Sequence, residues 1–171
     1  MDDLSFYKSL YERELSRKND LDNAINIPFS TMTILAGLIY YILSDIKTIN
    51  ENWYILLIFL VIISFLLTFT SVFFISKSYN NLFSGFKYLN FPSTIELRNY
   101  QKELNQFNSK SSEIYPFTDY LIECYVKYAD HNIKINDKRG LFLFRAKRLI
   151  ITAMFILLST LCLFLILKFI I

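Results

Sequence analysis

The sequence predicts an all-α integral membrane protein: three transmembrane helices, with a helical cytosolic segment between the second and the third. Two uncharged runs carry most of that prediction. Residues 27–44 (IPFSTMTILAGLIYYILS) form a run of 18 without a charge, and residues 53–75 (WYILLIFLVIISFLLTFTSVFFI) a run of 23. As helices they reach roughly 27 and 34 Å, against a hydrocarbon core of about 30 Å. Backbone amides and carbonyls find no partner in lipid, so each run must satisfy them internally as a helix. A third apolar run covers 149–167. A chain of 171 residues that is 54% hydrophobic and 18% aromatic is not an ordinary soluble domain.

Four regions follow: an amphipathic N-terminal helix (1–26), a transmembrane hairpin (27–75), a helical ligand- or partner-binding domain (76–148) and a third transmembrane helix (149–171). Basic residues set their orientation. The N-terminal arm carries Lys8, Arg13, Arg17 and Lys18, the 45–52 loop only Lys47, and the 76–148 segment twelve. Positive loops favour the cytoplasmic side, which puts the arm and the large segment inside and the C-terminus outside. The acidic start, Asp2-Asp3, and the late first apolar run give no expectation of a cleavable signal. Cys124 in the polar segment and Cys162 in the third span are expected to stay unpaired.

Asp2 or Asp3 can cap the first helix, whose Leu4, Tyr7, Leu10, Tyr11 and Leu15 recur at helical spacing. That helix either docks on its own protein or lies on the membrane surface. Pro28 then suits the first turn of a new helix. In the first span Ser30, Thr33, Gly37, Tyr40 and Ser44 recur at steps of three and four, one stripe opposed by Ile34, Leu35, Leu38, Ile39 and Ile42. Small and hydroxylated residues let helices approach closely, and they also suit the wall of a water-filled pore built from several copies. Both readings stand. The second span has a weaker stripe, Ser64, Thr68 and Ser71, and Trp53 and Tyr54 as interfacial anchors.

The second helix is expected to continue beyond the membrane through Phe86, since no strong breaker precedes Pro92. Ser93 and Glu96 have capping-box spacing, which predicts a helix to about Phe107, and 108–112 reads as a loop. Tyr115-Pro116-Phe117 opens another helix. From Ala129 the pattern can run without a proline into the third span, with Asn132, Asn136 and Arg139 on one face. Lys138, Arg139, Arg145, Lys147 and Arg148 cluster beside that span, either as a positive anchor at anionic lipid or as a site for a nucleotide, oligonucleotide or lipid anion.

Enzyme chemistry is not expected. His131 is the lone histidine, the cysteines have no CxxC partner, and Gly37, Gly85 and Gly140 are too far apart for a phosphate-binding loop. No catalytic residues, metal ligands or cofactor are predicted. The 76–148 segment has twelve basic and seven acidic residues, net +5, interleaved with tyrosines such as Tyr79, Tyr88, Tyr100 and Tyr115. Basic grooves with stacking rings hold single-stranded nucleic acid, and a tyrosine-rich helical domain has the same composition.

The opening LYERELSRKNDLDNAINIPFSTMTILAGLIYYIL and the closing YADHNIKINDKRGLFLFRAKRLI are similar to the two ends of small membrane effectors of bacterial anti-phage defence. The chain resembles most the channel effector of the Hailong system, and after it the two-span effectors of nucleotide-signalling systems. The resemblance implies a homo-oligomeric channel, a tetramer, in the bacterial inner membrane, whose opening depolarises the host and arrests its growth. It also implies a ligand: a short DNA oligomer or cyclic nucleotide made by a partner nucleotidyltransferase. Membrane lipid is the remaining partner. Two other functions fit the same spans: a non-conducting membrane adaptor that binds a cytosolic protein, and a holin-like lysis protein.

Overall fold

The computed structural model describes residues 2–79 and 85–169. It is all-α, with no strand among the described residues, and three of its helices are long and apolar enough to cross a membrane. The elements are α1 (Asp3–Asn23), α2 (Asn26–Asp45), a single 3-10 turn (Ile46–Thr48), α3 (Glu51–Ser78), α4 (Thr94–Asn108) and α5 (Phe117–Phe169). Two compact units arise from them. One comprises residues 1–20 and 86–137, the other residues 21–85 and 138–171, so α1 and α5 each contribute to both.

In the second unit the buried positions follow a coiled-coil period. On α5 the buried side chains Arg139, Leu143, Ala146, Ile150, Ala153, Leu157, Thr160, Phe164 and Leu167 alternate steps of four and three. Leu57, Val61, Ser64, Ser71, Ile75 and Ser78 of α3 keep the same register, and α2 contributes Met32, Leu35 and Ile42. A strict 3.5-residue seam keeps facing its neighbours only when the helices wind gently left-handed. Ala146, Ala153, Ser64 and Ser71 are small enough to let helix axes approach, the usual basis of cohesion where lipid removes the hydrophobic drive. Phe59, Phe65, Phe69 and Phe73 point away from that seam. Pro28 lies in the first turn of α2, where its missing N–H is harmless.

α3 ends at Ser78 rather than running on through Phe86. Its last carbonyl, on Ser78, accepts a 2.7 Å hydrogen bond from Arg139 Nε, while Ser78 Oγ donates to the Arg139 carbonyl at 3.0 Å. An orphan acceptor at a helix end is thereby satisfied by a side chain. Residues 80–84 of the expected continuation lie outside the described residues. Gly85 has φ 62°, the left-handed region that glycine enters without strain, and 86–93 is irregular.

The first unit is built on α1, the irregular segment, α4 and the start of α5. The capping box at Ser93 forms as its spacing predicts: Glu96 N–H donates to Ser93 Oγ, and Glu96 Oε2 accepts from Ser93 N–H at 2.7 Å. Tyr11 and Glu14 of α1 are buried, so that helix docks on its own protein. Tyr11 lies 5.8 Å from the Tyr125 ring, and its hydroxyl accepts the Phe91 N–H.

Candidate functional site

Two groups of side chains were singled out by pattern: the stripe on the first span and the basic residues before the third. Both belong to the second unit. On α2, Ser30, Thr33, Gly37, Tyr40 and Ser44 are all exposed, Tyr40 at 75%. The opposite face supplies the contacts, with Leu35 and Ile42 buried and Leu38 and Ile39 half-buried; Ile34 departs from that face and is exposed. The stripe therefore does not pack within its own chain. The weaker stripe on α3 does, since Ser64 and Ser71 are buried.

The serine and threonine hydroxyls of the α2 stripe bond to their own backbone. Ser30 donates to the Asn26 carbonyl, Thr33 to Phe29 and Ser44 to Tyr41, at 2.9–3.2 Å. Beside them run two shallow grooves between α2 and α3, of about 320 and 390 Å³. Thr33, Ala36, Tyr40, Phe65 and Thr68 line them. Among the described residues, and apart from the helix's own backbone and the adjacent residues, no atom lies within 4 Å of where a Gly37 Cβ would stand, so packing among them does not require a glycine there.

The five basic residues do not form one site. Arg139 is fully buried, and its guanidinium pairs with Asp22 and with the Ser78 carbonyl. It is not available to a ligand, which corrects its place in the basic cluster. The other four are exposed. At about 100° per residue, Lys138, Arg145 and Arg148 share an arc of roughly 80°, and Lys147 faces the opposite way. Arg145 lies 5.9 Å from the Phe74 ring, whereas Lys147 borders a groove with Ile27, Pro28 and Thr31. A collar of this kind suits an interfacial anchor.

The division into units also relocates the positive charge. The first unit carries ten basic and twelve acidic residues, net −2, because the basic excess of 76–148 sits in 138–148 and belongs to the second unit. Several tyrosines of the first unit also stack on neighbouring rings. Tyr120 lies 3.8 Å from Tyr100, and Tyr125 lies 4.3 Å from Phe91.

Pattern reading missed the polar lattice of the first unit. Asn132 makes two 3.0 Å bonds to the backbone of Leu89, accepting its N–H and donating to its carbonyl. Asn136 donates to the Glu14 carboxylate at 3.0 Å and accepts from the Tyr88 hydroxyl at 2.6 Å. His131 Nε2 is 2.8 Å from the Lys87 carbonyl. Arg17 reaches Asp137 at 2.7 Å, and that hydrogen bond holds its pKa above the ordinary value. In the second unit Lys168 pairs with Asp45 at 2.6 Å, closing the end of the bundle where α2 stops. The one advance signal was two asparagines and an arginine on one helical face. Comparison with protein-family models, with curated proteins and with solved structures finds no match to this chain.

Proposed function

We propose that the chain is a homo-oligomeric membrane channel effector of bacterial anti-phage defence. Copies assemble through the polar face of α2, the N-terminus is cytoplasmic and the C-terminus lies outside. The observation that carries this reading is the outward stripe Ser30, Thr33, Gly37, Tyr40 and Ser44. It is left over after α2 has used its apolar face within its own bundle. A surface of small and hydroxylated residues on a spanning helix suits a second helix or a column of water better than acyl chains. A tetramer, and a short DNA oligomer or cyclic nucleotide as gating ligand, follow from the resemblance of the chain's two ends. Lys138, Arg145 and Arg148 are the side chains left to meet such an anion.

The test is single-channel recording of purified protein in planar bilayers, with Ser30, Thr33 and Gly37 replaced together by leucine. Because these positions are exposed in one copy, the variant keeps its helicity and its insertion. Lost conductance with an intact oligomer supports a pore wall, and a dissociated oligomer supports packing between copies. Wild-type protein that never conducts, with or without candidate oligonucleotides, refutes the channel.

A second reading, the membrane adaptor, draws on α4. That helix is amphipathic yet buries none of its side chains, and Ile95 and Phe107 stand 72% and 56% exposed. Isolation of a stoichiometric complex with a cytosolic protein, and a membrane potential unchanged by overexpression, would favour it.

A further inference from the structure

A trough of about 590 Å³ lies between α4 and the start of α5, within the first unit. Its walls are rings: Tyr100 and Phe107 from α4, Tyr115 from the connection and Tyr120 from α5. Tyr100 and Tyr120 stack at 3.8 Å, and Phe107 and Tyr115 lie 6.1 Å apart. Phe107 and Tyr115 are about half exposed, so their faces are open to a ligand in the trough. The only charged groups in the lining are carboxylates, Glu103 on one wall and Asp119 and Glu123 on the other. Among the described residues none of the three forms an ion pair.

That combination selects a ligand. Three carboxylates repel phosphate, so the trough is unsuited to a nucleotide. Their spacing also disfavours a metal ion, since no group of three acidic, histidine or cysteine side chains among the described residues is close enough to hold one. Aromatic faces attract organic cations through their quadrupole and contribute nothing to a bare divalent ion. Asp119 and Glu123 stand one helical turn apart, roughly 6 Å between Cβ atoms, a separation matched by two ammonium groups joined through a short methylene chain. Glu103 would meet a third ammonium from the other wall, with the methylenes against Tyr100, Leu104 and Phe107. The volume falls within the range of small-molecule sites.

We propose that this trough binds a linear polyamine, with its ammonium groups on Glu103, Asp119 and Glu123 and its methylenes against the rings. The site lies in the first unit and is independent of whether the chain conducts ions.

The experiment is calorimetric titration of the full chain, in detergent, with spermidine. One saturable site is expected. Glu103→Gln with Glu123→Gln weakens it about tenfold, each lost contact being a partly exposed charge pair. Asp20→Asn, also exposed and in the same unit, leaves it unchanged. Tyr100→Phe retains binding, whereas Tyr100→Leu loses severalfold because the ring face is gone. Circular dichroism checks that each variant keeps its helix content. Four results would overturn the proposal: no saturable binding at about millimolar spermidine; equal weakening by Asp20→Asn; displacement of spermidine by Mg²⁺ at constant ionic strength; or binding of a lysine-rich peptide in the absence of any spermidine binding.

Discussion

Arg139 and Asp22 offer an asymmetric test of how the second unit is held. The Arg139 side chain is fully buried, while that of Asp22 is 36% exposed. Replacing Asp22 by alanine leaves a guanidinium in the interior without its carboxylate, and removing one partner of a buried pair costs about 3–5 kcal/mol. Replacing Arg139 by methionine keeps much of the stem and takes the charge away. Asp22 can then rehydrate, and the main loss is the bond to the Ser78 carbonyl, an orphaned acceptor worth about 1–3 kcal/mol. Asp22→Ala should therefore be the more damaging change by about 2 kcal/mol. Adding Arg139→Met to it should restore stability to the level of Arg139→Met alone. For a domain of this size a 2 kcal/mol gap is roughly 4–8 °C in Tm. Thermal unfolding in detergent, followed by circular dichroism across the four-protein cycle, measures it. An Asp22→Ala protein as stable as Arg139→Met would refute the argument, because the buried charge would then have another sufficient counterpart.

Three further outcomes can be checked directly. Ser93→Ala removes the cap of α4 and should cost about 1 kcal/mol locally, seen as roughly fivefold faster amide exchange in that helix alone. The Glu96 carboxylate is held below its ordinary value of 4.5 by the Ser93 N–H and hydroxyl. The stability it lends α4 is therefore complete above that value and lost as pH falls through the lowered pKa, and Glu96→Gln should abolish this acid sensitivity of exchange. Gly140→Ala should stabilise α5 by about 0.5–1 kcal/mol, since among the described residues nothing outside the helix's own backbone and the adjacent residues lies within 4 Å of the added Cβ. The neighbouring Cys124 side chain and partial burial push the Tyr120 pKa up to about 12, and Cys124→Ala should bring its ultraviolet titration back toward 10.0.

The spans were legible because an uncharged run of the right length has one physical solution in lipid. The continuity of α5 was legible too, since no proline follows Pro116 and Asn132, Asn136, Arg139 and Leu143 already keep a four-three rhythm. What those side chains touch was not. Leu89, Glu14, Asp22 and Ser78 lie tens of residues or more from their partners in sequence, and pattern alone carries no such pairing. The end of α3 is hidden from pattern for a similar reason: the chain has no strong local breaker there, and its last carbonyl is satisfied by a side chain from α5. The net +5 of the polar segment misled by averaging. It joined a collar of basic residues to a unit that is itself slightly acidic and holds a trough whose charged lining residues are all carboxylates. For the stripe on α2, spacing indicated a shared face, and only the structure separates it from the residues that pack.

The Ser30, Thr33 and Ser44 hydroxyls of that stripe close on carbonyls of their own helix, and this bears on how the protein is made. A polar side chain with an internal partner needs no neighbour to enter the bilayer, so a single copy can be inserted and wait in lipid before it meets another. The same closure lowers the cost of leaving the face against lipid, so its preference for a second helix or for water is modest. Contacts between copies formed there would be shallow in energy, set by copy number and membrane area, and readily reversed on dilution.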